Sequence, residues 1–156
     1  GRMSMHLATY IGLLDQGERT LGSSFRQVAH GHAEESDVFH TCLNLAGQCD
    51  AHVEALAPAI ERYGEHKDAE PERLHAEGLS ETRSGGIGLL RDLHDLYLLA
   101  NYLDMAWTLV GQAAKGARDT EMIQIVDSCD HETTGQLTWL KTRLKAAAPQ
   151  ALLVAD

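Results

Sequence analysis

The chain has 156 residues, 44% of them hydrophobic but only 5% aromatic, and 13 basic side chains against 23 acidic ones leave a net charge of -10. That length suits one domain able to bury a continuous core without disulfide staples, while so few aromatics and only 3 prolines argue against a β-sandwich or barrel. The acidic balance, with no basic stripe, excludes nucleic acid and anionic membrane surfaces as expected partners, and no apolar run approaches the roughly 18 residues of a membrane span.

A first helix is predicted over about residues 4–30, where Leu7, Ile11, Leu14, Leu21, Phe25 and Val28 recur at helical spacing. The polar stretch 31–35 breaks it, and Ser36 or Asp37 is placed to cap a second helix over about residues 37–63. The second stripe is Val38, Cys42, Leu45, Cys49, Val53, Leu56, Ile60 and Tyr63; Pro58 inside it is expected to kink or shorten the helix. Residues 64–86 form a long polar connection closed by Ser84-Gly85-Gly86. A third helix over about 87–114 presents Leu89, Leu93, Leu96, Ala100, Leu103, Trp107 and Val110. A fourth, capped by Asp119 or Thr120, spans about 120–147 with Met122, Val126, Cys129, Thr133, Leu137, Leu140 and Leu144, and is expected to stop before Pro149. The apolar tail Ala151–Ala155 is left to dock on the bundle or on a second chain.

Each predicted helix is about 27 residues, or roughly 40 Å long. Short, long and short links describe two helical hairpins joined by one crossover that travels the length of a bundle. An up-down-up-down bundle would need three short links. The expectation is a single all-α domain over residues 1–156.

One charged residue interrupts the first stripe. Glu18 falls where an apolar side chain belongs, and a carboxylate in a core is costly unless paired, protonated or bound to a cation. Folding the first hairpin about residue 33 sets Glu18 level with Cys49, with His52 one turn beyond. Folding the second about residue 117 sets Asp104 opposite Asp130, beside Cys129 and Glu132. Every helix thus brings a polar or thiol residue to mid-height.

This layout resembles the ferritin-like superfamily, whose two-metal sites take a Glu from each of two helices and a Glu-x-x-His from each of the other two. Glu18 matches the Glu of the first helix. Cys49-Asp50-Ala51-His52 takes the Glu-x-x-His place on the second, with Cys where Glu stands in the family. Asp104 substitutes for Glu on the third, and Cys129-Asp130-His131-Glu132 departs from the motif on the fourth. The resemblance implies a transition metal (iron, or with thiol ligands zinc or copper) or a small ligand at the waist, held by Glu18, Cys49, His52, Asp104, Cys129 and Glu132.

The plainer readings stay open beside it. Glu18 could be a buried acid bonded to Tyr97, Gln136 or another helix, and Cys42, Cys49 and Cys129 could be core filler. His30, His32 and His40 gather at one hairpin end, where a histidine commonly complements a helix C-terminus. Three cysteines without a CxxC suit reduced thiols in a cytoplasmic protein. Helix faces left over from the core, with the tail, predict a homodimer. Two functions follow: a ferritin-like protein with a non-standard site for a metal or small ligand, open to redox chemistry, or a non-catalytic assembly or interaction module that has lost its metal.

Overall fold

The computed structural model describes residues 5–64, 78–79 and 81–155. Four helices account for nearly all of them: α1 (Met5–Gly31), α2 (Ser36–Tyr63), α3 (Gly85–Gly116) and α4 (Thr120–Pro149), followed by a π-helical turn over Gln150–Val154. They form an all-α four-helix bundle. Most of the crossover expected over 64–86 lies outside the described residues.

Contacts between opposite ends fix the helix directions. His32, just after α1, bonds Asp92 near the start of α3, while Glu18 at the middle of α1 bonds Trp107 further along α3. Hence α1 and α3 are antiparallel. Arg143 near the end of α4 meets Asp37 at the start of α2, and Asp119 before α4 meets Arg62 at the end of α2. The order is therefore up, down, down, up: α1 packs on α2 and α3, and α4 packs on α3 and α2. Every neighbouring pair is antiparallel.

The stripes read from the sequence become the core. Ile11, Leu14, Leu21, Phe25 and Val28 of α1 are wholly buried, as are Val38, Cys42 and Leu56 of α2 and Leu93, Leu96, Leu103 and Trp107 of α3. At roughly 1.5–3 kcal/mol for each large buried side chain, these stripes dominate the stability of the bundle. Gly17 lets α1 and α3 close up beside Glu18, since a Cβ there would come within 2.4 Å of Leu103 Cδ2. Gly85 adopts φ 77°, a conformation only glycine takes without strain, and turns the chain into α3.

Three local expectations need correction. Pro58 neither ends nor shortens α2, which continues to Tyr63. Pro58 and Glu54, whose carbonyl it leaves without a donor, are both exposed, so that carbonyl is not stranded in the core. Likewise α4 runs through Pro149, because Pro149 and Lys145 are exposed. The residue preceding α2 is Glu35, and neither Ser36 nor Asp37 caps it. Asp37 is instead drawn to Arg143, 2.6 Å from Nε, with Glu35 3.6 Å from the same guanidinium. Asp119 caps α4 as anticipated, accepting from Met122 N at 3.1 Å.

Ala151 of the terminal turn is buried, and the turn packs on α4 and α3. Leu152, Leu153 and Val154 remain exposed. No helix among the described residues is long and apolar enough to cross a membrane.

Candidate functional site

The waist of the bundle carries a line of polar side chains through the apolar core. Glu18 is 1% exposed. Its Oε2 accepts a 2.8 Å hydrogen bond from Trp107 Nε1 of α3. Its Oε1 lies 3.1 Å from His52 Nδ1 of α2, an ion-pair distance but out of line for a hydrogen bond. On the other side of the ring, His52 Nε2 lies 2.8 Å from Glu132 Oε1 of α4. The imidazole is 2% exposed and meets the Trp107 ring edge-on, with centroids 6.0 Å apart. All four helices therefore contribute to one Trp–Glu–His–Glu chain, which starts in the core and ends at the half-exposed Glu132.

Periodicity explains the placement. Glu18 lies four residues after Leu14 and three before Leu21, so α1 cannot pack without burying it. His52 follows Cys49 by three residues and precedes Leu56 by four, which puts it on the core side of α2. Burial alone would depress the imidazole pKa. Glu18 and Glu132 outweigh that penalty, and the net shift is upward. The two carboxylates thus favour the protonated ring over the neutral one.

The thiols line this chain without joining it. Cys49 and Cys129 are buried, and all three cysteines are free. Burial, reinforced by the charge of Glu18, pushes the Cys49 thiol pKa up; burial with Glu18 and Glu132 raises Cys129 to about 12. Burial and Asp37 raise Cys42 to about 12 as well. At neutral pH these groups are thiols, poor as nucleophiles and needing a metal to displace their protons. Gln136, one turn beyond Glu132, approaches Cys49 Sγ at 4.0 Å and donates to Gln48 Oε1 at 3.0 Å.

Of the six residues singled out in the sequence, Glu18, His52 and Glu132 are in direct contact, with Cys49 against Glu18 and Cys129 close to both carboxylates. Asp104 stands apart, facing Asp130. The donor set does not fit the two-metal arrangement of the ferritin-like pattern. Cys49 replaces one bridging carboxylate, Asp104 is taken by Asp130, and Glu132 is turned onto His52. Among the described residues no three His, Cys, Asp or Glu side chains are arranged to hold a metal ion.

Glu18 bonds neither Tyr97 nor Gln136 but a side chain of another helix, the third alternative the sequence left open. Its donor is Trp107, which pattern alone reads as core packing.

A second buried ionic cluster escaped the sequence reading. Asp92 is wholly buried at the head of α3. Its Oδ2 lies 2.8 Å from His32 Nε2 and accepts from Arg83 N at 2.9 Å; its Oδ1 accepts from Arg83 Nη1 at 2.8 Å. Arg83 also reaches Asp95 at 2.9 Å. This cluster clamps the α1–α2 turn and the end of the crossover onto α3. The missed signal was an aspartate next to Leu93 on the apolar face, the same kind of interruption that marked Glu18.

Asp130 gives the site margin a pH dependence. Burial, then Asp104, raises its pKa to about 7 from an ordinary 3.8. The folded protein thus binds an extra proton between those values, and this contribution to stability falls as pH rises through that window. Asp130→Asn should remove the effect. Relative to the parent, the variant should gain about 1 kcal/mol at pH 8, a figure discounted for solvent screening, and nothing at pH 4. Denaturant midpoints at the two pH values check this.

The chain matches no family model, no curated protein and no solved structure.

Proposed function

We propose that this chain is a ferritin-like bundle in which a protonated histidine stands where the family holds its cations, and that it serves as a non-catalytic assembly module. Up-down-down-up helices, with α3 beginning at the end of the bundle opposite to where α2 stops, and polar residues at mid-height on every helix support the ferritin-like reading. One observation carries the loss of metal: both nitrogens of His52 face carboxylates, from α1 and from α4. Ligand and counter-ion have become partners of each other, so a metal would first have to displace the imidazolium's protons. Buried, unbridged cysteines suit a reducing compartment such as the cytoplasm.

A second reading, a site for one soft metal ion or a small ligand, rests on a different feature. Glu18 Oε1 and His52 Nδ1 are buried, 3.1 Å apart and without aligned hydrogen bonds, with Cys49 and Cys129 alongside. Elemental analysis and zinc titration calorimetry separate the two. The assembly reading expects well under one metal ion per chain and no change in Tm on adding chelator. One tightly held ion per chain, lost on Glu18→Ala, would establish the metal site instead.

A further inference from the structure

One helix carries two apolar faces. Leu93, Leu96, Leu103 and Trp107 of α3 point into the core. On the opposite side Leu98, Tyr102, Met105 and Leu109 are 57%, 40%, 56% and 47% exposed. Spacings of four, three and four residues put them in one row about 17 Å long. Single exposed apolar residues are ordinary, but a continuous row of four large ones marks a contact surface.

We propose that this row is the interface with a second copy of the chain, packed α3 against α3 about a two-fold axis in antiparallel sense. The inference does not depend on how the waist is read. The spacing itself is symmetric about a point between Leu103 and Asp104. An antiparallel two-fold through that point sets Leu98 of one protomer against Leu109 of its partner, and Tyr102 against Met105. An interface between identical chains requires that self-complementarity, whereas a different partner would not. Charge points the same way. From Leu96 to Ala114 the only charged residue is Asp104, in a chain where 23% of residues are charged. Two copies at a net charge of -10 can meet along this neutral row, while a basic partner would be drawn to the acidic faces elsewhere.

Sedimentation with light scattering, followed over a dilution series, tests the proposal. The expected mass is twice 17.0 kDa at micromolar concentration. Met105→Glu should shift the dimer to monomer by at least tenfold in dissociation constant, with the helical circular dichroism unchanged. Leu153→Glu in the exposed tail should leave the dimer intact. Register is read separately by disulfide capture, with little background because the native cysteines are buried. A mixture of Leu98→Cys and Leu109→Cys chains should cross-link under mild oxidation. Neither variant alone should do so, because each new thiol lies about 17 Å from its own symmetry mate. A monomer at about 100 µM would overturn the proposal, as would a dimer that survives Met105→Glu or one dissociated only by the tail variant. Cross-linking of either variant alone would overturn the antiparallel pairing.

Discussion

Glu18→Leu should lower the stability of the bundle by about 3 kcal/mol or more, although leucine is the residue the α1 stripe calls for. In a chain of this size that is roughly a 6–12 °C fall in Tm. Burying leucine gains apolar transfer energy. The substitution also leaves His52 with a charge and one carboxylate, and strips the buried Trp107 Nε1–H of its acceptor. Stranding a buried donor and half of an ion pair costs more than the leucine returns. The companion variant Glu18→Leu with His52→Leu should recover part of the loss. It removes both buried charges, and Glu132 is exposed enough to return to water. A double-mutant cycle should therefore give a favourable Glu18–His52 coupling of about 1 kcal/mol or more. A higher Tm for Glu18→Leu alone would mean that the carboxylate is an unpaired liability.

Asp92→Asn should cost a similar amount, about 3 kcal/mol, measured as the shift in denaturant midpoint. Asp92 receives His32, the Arg83 backbone and the Arg83 guanidinium on its two oxygens. Asparagine keeps one acceptor and turns an amide N–H₂ toward donors that need the other. Loss should be local as well as global. The segment 81–84 is tied to α3 through this carboxylate, so amide exchange there should quicken more than at the Glu18 level. A midpoint within 0.5 kcal/mol of the parent would show that the cluster is already hydrated and carries little of the fold.

The fold was legible because periodicity survives in every helix. Glu18 stood out because a charge on a stripe has no place in an apolar core. Folding each hairpin about its turn correctly set Glu18 beside Cys49 and His52, and Asp104 opposite Asp130. The α1–α3 level was not available that way, because it is set by the long crossover and not by a tight turn. That is why Trp107 as the donor to Glu18 and Asp92 as the partner of His32 were missed: both contacts join α1, or its end, to α3. Pro149 misled for another reason, whereas α2 passes Pro58 and ends at Tyr63 as its stripe predicted. The hydrogen bond a proline removes costs least where the stranded carbonyl can reach water, and exposure of residues 54 and 145 is a property of the assembled bundle.

The protonation state of His52 is read directly by nitrogen-15 resonance of the ring in the intact protein. At pH 7, and equally after exhaustive chelation, both ring nitrogens should carry protons, and Glu18→Gln should move the titration to lower pH. A ring with one unprotonated nitrogen at pH 7, shifting on addition of zinc, would contradict a built-in cation and restore the waist as a metal site.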